Sequence, residues 1–368
     1  MRKGLFMEKK FYSEKFLTSL NIQSIPPSDL IRNDSNLFTF SPIQDELEKF
    51  DNNLSGIFYK EQLCFRQVYP ANLINPLSTP CQKLISFFSF EETNYIDFIT
   101  KVSGIFLNEK VNFEDIYVII PNIDSLRDNF TVFTRNIITI DSNRLKCKLP
   151  LRGNHYYIKI CVKYNNGLVT LINFVLVDYK YGSKLSKIDS VLFPLRLDMV
   201  SEQAKSLFET IRYRQLYQNI YNITDNHEIT HFIVSQLLAI SILLLELKEV
   251  SNRKQGYLIK KLAREFFLEC DCNHLPVKSI LSYFPKIEKM LTHMYSEYSI
   301  TVHKAVRKIQ NSKPKIDAKY AHETLGLPYK LYQLLIDPTY QVDYLPSNFA
   351  YYRDATRNRY DNPIERYR

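Results

Sequence analysis

The spacing of apolar residues changes character once along the chain. In roughly the first 200 residues, aromatic and β-branched residues come in short runs separated by polar turns, which is typical of strands. Further on, apolar residues recur every three or four positions over long segments, as in amphipathic helices. We therefore predict an α+β fold, in which a mostly antiparallel sheet flanked by a few helices precedes an all-helical domain.

A β-hairpin gives the strongest local signal, with β-branched runs at residues 156–164 and 168–177. Asn165-Asn166-Gly167 lies between the runs, and glycine supplies the positive φ that a tight hairpin turn requires. The other predicted strands are residues 37–40, 56–59, 63–68, 84–90, 116–120 and 130–140. The predicted helices are residues 8–20, 202–217, 228–247, 256–268 and 280–310.

These elements place a domain boundary near residue 215. Residues 1–215 are expected to form the sheet domain, and residues 216–368 the helical domain with a Tyr- and Arg-rich tail. With 45% hydrophobic residues, a chain of this length can bury a substantial core.

Charge and glycine content narrow the classes of function. Lys and Arg number 48 against 39 Asp and Glu, a net charge of +9 that favours a polyanionic partner such as nucleic acid. The chain has only 8 glycines, and none are spaced to form a P-loop or a Rossmann phosphate loop.

The cysteines and apolar stretches point to a reduced, cytoplasmic protein. Six cysteines are scattered, and the lone pair in Cys270-Asp271-Cys272 lacks the further ligands of a zinc site, so no structural metal is expected. The N-terminal residues do not resemble a secretory signal. The apolar stretch at 232–245 is too short to span a bilayer, so no membrane association is expected.

Several segments, read in chain order, resemble one family. Residues 32–40 are similar to its segment HNDPTLLFTNAGM, and residues 61–67 and 82–90 to the two halves of its motif 2, SQRCVRAGGKHND and FFEMLGNFSFGDY. Three further segments follow in the same order. Residues 170–179, 250–264 and 319–331 resemble EIWNIVFMQF, PSNxxRGYVLRRIIRR and AFRLYDTYGFPVDL. The chain thus resembles alanyl-tRNA synthetases, a class II aminoacyl-tRNA synthetase family, in its catalytic core and tRNA-recognition domain, without an editing domain.

The resemblance implies a site that activates alanine with ATP and Mg²⁺. Arg66 matches the motif 2 arginine that contacts the α-phosphate, and Asn173 and Asp198 match residues that bind the amino acid. Lys205 stands where motif 3, VDTGMGLER in the family, has its nucleotide-binding arginine. From the residues alone, Arg66 could equally be a surface arginine, and Asn173 could face outward.

The sequence at motif 3 does not decide whether the chain is catalytically active. Residues 197–205 lack both glycines and the arginine of that motif. The chain is therefore either an alanine-tRNA ligase or a catalytically inactive pseudo-synthetase that binds RNA or serves as a subunit of a complex.

The resemblance also implies tRNA as a partner. Asn252 and Glu323 match residues that approach the acceptor stem from its minor and major grooves. A basic stretch would supply phosphate contacts, and it comprises Arg253, Lys254, Lys260, Lys261 and Arg264. A cationic helix face that is merely solvated is the alternative interpretation.

One motif competes with this interpretation. His227-Glu228-Ile229-Thr230-His231 fits HExxH, in which two histidines one helical turn apart bind zinc and the glutamate acts as a base. The segment also begins with the helix-start cluster Thr224-Asp225-Asn226 and continues into apolar residues. A zinc metallopeptidase is thus a remote alternative to a buried structural helix.

Overall fold

A computed structural model describes residues 11–33, 36–66, 75–165, 167–247, 254–313 and 316–341. These residues form two compact units. The sheet unit comprises residues 11–66 and 81–210, and the helical unit comprises residues 75–80 and 211–341. The short segment between the second and third strands thus belongs to the helical unit.

The sheet unit contains, within its described residues, one mixed and mostly antiparallel sheet of nine strands. The strands are β1 (Ile22–Ile25), β2 (Ile57–Phe65), β3 (Cys81–Asn94), β4 (Ile116–Pro121), β5 (Ile137–Ile140), β6 (Lys146–Cys147), β7 (His155–Tyr164), β8 (Gly167–Val177) and β9 (Leu185–Leu192). Their order is β1-β2-β3-β9-β8-β7-β4-β5, and β6 pairs with β7. Among these described strands, only the pairs β1–β2 and β4–β5, at the two ends of the sheet, are parallel.

The predicted hairpin is confirmed, with a different residue at its turn. Tyr164 pairs with Gly167, and β7 and β8 run antiparallel from there. The positive φ of 46° belongs to Asn165, not to the glycine. Asparagine tolerates the left-handed conformation because its short polar side chain bonds locally, so it can fill the first turn position.

One face of the sheet is apolar and is covered by helices. Phe174 on β8 meets Phe98 of the helix Tyr95–Leu107 edge-on, with ring centroids 6.3 Å apart, and Phe87 on β3 packs against Tyr59. Burial of these rings supplies much of the core. The helices of this unit are α1 (Glu14–Ser19), α2 (Tyr95–Leu107), α3 (Asp124–Phe130), α4 (Ser142–Leu145) and α5 (Pro194–Ser201).

The opposite face of the sheet carries polar residues among apolar ones, and we call it the polar face. It includes Lys60 on β2, paired in register with Ser86 on β3. The 3-10 helices Pro42–Asp45 and Leu47–Phe50 supply Glu46, whose Oε1 lies 2.7 Å from Lys60 Nζ. Both side chains of this ion pair are buried, at 1% and 4% exposure.

Several predicted elements differ from the structure. Residues 130–140 contain the end of α3 and the four-residue β5 instead of one long strand, and residues 37–40 contribute only an isolated bridge between Ile31 and Phe38. The helix predicted over 202–217 begins at Arg214, since a series of turns precedes it.

The helical unit is formed by α6 (Arg214–Thr224), α7 (His227–Glu246), α8 (Lys254–Cys272), α9 (Val277–Leu281), α10 (Pro285–Gln310), α11 (Ala318–Glu323) and α12 (Tyr329–Leu335). Of the helices in the described residues, α7 is long and apolar enough to cross a membrane by length and composition. It is longer than the apolar stretch at 232–245. However, 78% of its apolar 18-residue segment is buried inside the protein, as in a core helix. The predicted C-terminal tail lies beyond residue 341, outside the described residues.

Candidate functional site

Two polar side chains lie diagonally across strands β8 and β9 on the polar face. Asn173 is paired with Val191, and Asp189 with Val175. Both pairs share one face because side chains alternate along strands. Within the described residues, Asn173 Oδ1 and Asp189 Oδ1 are buried and have no hydrogen-bond partner. Buried polar atoms are normally satisfied, so these two oxygens mark a place where a donor group can bind.

Asp189 is electrostatically unusual. It is 3% exposed, and burial raises the pKa of its carboxyl group to about 8, against a smaller lowering by the Ser190 backbone N–H and the Arg66 charge. The carboxyl group is therefore mostly protonated at neutral pH until a cation approaches it. Perturbed groups of this kind cluster at functional sites.

Arg66 follows directly after β2. Its Nε donates to the Phe40 carbonyl oxygen at 2.8 Å. Its charge lowers the pKa of Asp189, which shows that the two groups lie within electrostatic range. Of the residues predicted for catalysis and substrate binding, Arg66 and Asn173 are thus brought to one face of the sheet.

A second arginine lies close to the first. Arg196 is in the first turn of α5, donates from Nη1 to the Thr170 carbonyl oxygen at 3.0 Å, and stacks over the Phe193 ring. Burial and then the charge of Arg66 lower the pKa of Arg196 to about 10, so Arg196 stays charged at neutral pH. Two neighbouring cations attract an anion such as carboxylate or phosphate.

Further polar groups extend the site along β7 and β3. Lys159 is paired in register with Asn173, and the Tyr157 phenol is buried with its pKa raised, first by burial and also by nearby Cys147 and Asp189. Gln82 on β3 has a buried Oε1 that lacks a partner among the described residues.

The other two predicted residues, Asp198 and Lys205, lie on α5 and on the loop that follows it. Asp198 lies on α5, and its Oδ1 accepts a hydrogen bond from Lys110 Nζ at 3.3 Å. Lys205 is exposed on the loop after α5, where its backbone N–H donates to Glu209 Oε2. Their roles in binding amino acid and nucleotide remain predictions.

The sequence prediction did not include Asp189 and Arg196, although a signal for them exists. An acidic residue followed seven positions later by a basic one occurs at Asp198 and Lys205, and again at Asp189 and Arg196. The earlier pair retains an arginine.

The predicted tRNA-binding cations on α8 differ in exposure. Lys254 and Arg264 are exposed, Lys260 is half-buried, and Lys261 Nζ lies 3.7 Å from Glu265 Oε1. Burial lowers the pKa of Lys261 and raises that of Glu265. Glu323 is exposed at the end of α11, whereas Asn252 and Arg253 lie outside the described residues.

Helix α10 carries cations that the sequence prediction did not select. Five of its basic residues are exposed and form no ion pair within the described part of the chain, namely Lys286, Lys289, Lys304, Arg307 and Lys308. At 26 residues, α10 extends this surface over about 39 Å.

The two histidines of the HExxH segment have separate partners. His231 Nε2 donates to the Ser78 carbonyl oxygen at 2.8 Å, and burial lowers the pKa of His231 to about 4. His227 Nδ1 lies 3.1 Å from the Tyr217 hydroxyl. No group of three metal-ligating side chains occurs within the described residues. The segment lies in a core helix, and nothing in its geometry favours zinc chemistry.

Comparisons with known proteins add no assignment to this geometry. No protein-family model matches the chain, and a search of curated proteins finds no match.

Proposed function

We propose that the chain is an alanyl-tRNA synthetase-like protein with a class II synthetase-like sheet unit, whose polar face binds a small amino acid. One observation carries the proposal. The buried Oδ1 atoms of Asn173 and Asp189 have no hydrogen-bond partner among the described residues, and the charge of Arg66 acts on Asp189. A ligand with an ammonium group at one end and an anion at the other complements this arrangement.

The size of the ligand follows from the apolar neighbours. Val175 and Val191 complete a square with Asn173 and Asp189 on strands β8 and β9, and both valines are buried. A short aliphatic side chain would pack on their isopropyl groups, whereas a polar one would lose its hydration there. Alanine fits this surface, in agreement with the family resemblance.

The arginines would serve the second substrate. Arg66 and Arg196 supply charges that can hold the phosphates of ATP as the amino-acid carboxylate attacks the α-phosphorus. Mg²⁺ would enter with the nucleotide, since it usually keeps several waters and binds substrate phosphates with only one or two protein carboxylates.

A binding function without catalysis is the second candidate. It is favoured by the placement of Lys205, which is exposed on the loop after α5 rather than on the polar face. A chain without a nucleotide-binding residue there would keep ligand or RNA binding and lose adenylate formation. It could then act as a subunit of a complex.

tRNA is the proposed macromolecular partner. The exposed cations of α8 and α10 support it, because phosphate contacts provide most of the affinity of such surfaces. Arg264 and Lys254 on α8, with the C-terminal part of α10, are the most accessible of these groups.

Alanine-dependent exchange of pyrophosphate into ATP tests the catalytic proposal. The full chain should catalyse exchange with alanine, and Asp189→Asn should reduce the rate by about 10- to 100-fold, since a hydrogen bond to a charged group is worth about 1.5–3 kcal/mol.

Asp198→Asn is the matched comparison because it makes the same chemical change on α5. If that substitution abolishes exchange while Asp189→Asn does not, the ammonium site lies at Asp198 as the family resemblance implies. No exchange at high alanine, together with retained tRNA binding, would support the binding function instead.

A further inference from the structure

Gln44 lies beside the candidate site and has no role in the site as described above. It lies in the 3-10 helix Pro42–Asp45, and its Oε1 accepts a hydrogen bond from the Phe40 N–H at 3.0 Å. The carbonyl oxygen of the same Phe40 accepts from Arg66 Nε at 2.8 Å. Gln44 and Arg66 therefore bind the two polar backbone groups of one residue.

Residues 39–40 are held firmly against the end of β2. The Phe65 N–H donates to the Thr39 carbonyl oxygen at 2.9 Å, and the Thr39 hydroxyl donates to the Asp29 carbonyl oxygen at 2.7 Å. Because Phe40 is fixed in this way, its carbonyl oxygen can hold the Arg66 guanidinium in one orientation. Gln44 completes the connection by bonding the N–H of Phe40.

The amide nitrogen of Gln44 lacks a hydrogen-bond partner among the described residues. Since Oε1 faces the Phe40 N–H, the orientation of the amide is set and Nε2 must act as a donor elsewhere. Within the described part of the chain, Nε2 is buried and has no acceptor. Arg66 likewise makes no hydrogen bond there beyond the one from Nε. The Gln44 amide nitrogen and the Arg66 guanidinium can therefore both donate to an acceptor beside Phe40.

We propose that Gln44 and Arg66 form an oxyanion subsite, in which Gln44 also positions Arg66 through the backbone of Phe40. This inference rests on the proposed ligand site and adds to it the residue that receives the anionic end of the ligand. The anion is a carboxylate or a phosphate, both of which accept hydrogen bonds from amide and guanidinium donors.

Gln44→Glu tests the donor, because it keeps an oxygen for the Phe40 N–H but replaces the Nε2 donor by a negative oxygen. The probes are L-alanine, alaninol, which has the ammonium group but no carboxylate, and inorganic pyrophosphate. Each is titrated calorimetrically into the full chain. We expect Gln44→Glu to weaken binding of alanine or of pyrophosphate by about 10- to 100-fold and to leave alaninol binding unchanged or tighter.

Two further variants separate binding from folding. Gln44→Met removes both hydrogen-bonding atoms and should weaken the same anionic probe. Gln23→Glu introduces the same charge at an exposed position on β1 and should leave all three affinities within twofold. Loss of alanine binding alone identifies the anion as carboxylate, and loss of pyrophosphate binding alone identifies it as phosphate.

The outcomes distinguish this inference from the proposed function. If the unmodified chain binds none of the three probes, both fail. If it binds them and Gln44→Glu changes none of the affinities, or weakens alanine and alaninol equally, the subsite is wrong while the proposed function stands.

Discussion

Asn173 and Asp189 face each other diagonally across the β8–β9 ladder, one opposite Val191 and the other opposite Val175. Asn173 Oδ1 and Asp189 Oδ1 find no hydrogen-bond partner among the described residues. The pair would be costly to keep buried without a ligand, since an unsatisfied buried polar group costs about 1–3 kcal/mol.

Binding of an ammonium group should release a proton from Asp189. Its pKa of about 8 means that the carboxyl group is mostly protonated at pH 7, and an ammonium ligand favours the ionised form. Alanine affinity should therefore rise with pH from about 6 and level off above about 8. Calorimetry in buffers of different ionisation enthalpy measures the proton directly, and Asp189→Asn should abolish it. Equal proton release in that variant would contradict the assignment.

Because of the same raised pKa of Asp189, the ligand-free sheet unit should become less stable as pH rises. Unfolded Asp189 ionises near its ordinary value of 3.8, whereas the folded group keeps its proton to about 8. Stability from this group is thus greatest at acid pH and is lost between about 4 and 8. The variant Asp189→Asn should show a flatter dependence of unfolding on pH in that window.

His231 should make the helical unit sensitive to acid. Its pKa of about 4 in the folded state lies below the ordinary value of 6.5, because burial disfavours the charged ring. The unfolded state therefore binds more protons between pH 6.5 and 4, and stability is lost as pH falls through that range. His231→Gln, which can still donate to the Ser78 carbonyl oxygen, should lower Tm at pH 7 but reduce its fall towards pH 4. An equally steep fall in the variant would exclude His231 as the cause.

The buried ion pair of Lys60 and Glu46 should be essential for stability. Lys60→Met removes the buried cation that pairs with Glu46 Oε1 and leaves the carboxylate with the more exposed Lys49 as its partner, and breaking a buried pair typically costs up to about 3–5 kcal/mol. Urea unfolding of the full chain measures the loss. Lys180→Met is the control, because the Lys180–Glu92 pair is exposed and solvent screening leaves it little effect on stability. Similar losses in both variants would show that burial does not set the cost.

The α10 surface should account for much of the tRNA affinity. Replacing Lys304, Arg307 and Lys308 together by Glu should weaken tRNA binding at least tenfold at low salt and reduce the slope of log K against log salt by about 2. Filter binding or fluorescence anisotropy over a salt series gives both quantities. The control replaces three exposed lysines of the sheet unit, Lys15, Lys163 and Lys184. Equal losses in the two triple variants would indicate non-specific attraction to net charge.

Substitutions on α8 need more care than those on α10. Lys261 is half-buried beside Glu265, which also accepts a hydrogen bond from Gln236 on α7. A glutamate at position 261 would place two acidic groups together in the interior and could unfold the helix. Lys254 and Arg264 are exposed, so their replacement tests the predicted tRNA surface without this effect.

Local patterns made part of the fold predictable. The β7–β8 hairpin was readable because β-branched runs and an Asn-rich turn act over neighbouring residues. Asn173 was identifiable as a single polar residue in an apolar run. The grouping of Asp189 and Asn173 with Arg66 was not apparent. It depends on how β8 and β9 join β2 and β3 in one sheet, and these two pairs of strands are distant in sequence.

Other features of the site required tertiary structure. Gln44 lies in a 3-10 helix with no distinctive motif, and its importance comes from a hydrogen bond to the Phe40 backbone. Likewise, nothing in the sequence distinguishes the exposed Lys304 of α10 from the half-buried Lys261 of α8. Burial and pairing decide which cations can meet a phosphate, and both depend on packing between helices.

The assignment of residues 75–80 to the helical unit limits how the protein can be divided for experiments. These residues precede β3 directly, yet Ser78 is bonded by His231 from α7. A truncated chain that stops at residue 210 would keep the segment and lose the helix that satisfies it. The sheet unit is thus discontinuous in sequence. To produce it alone, the segment between β2 and β3 would have to be replaced by a short engineered linker.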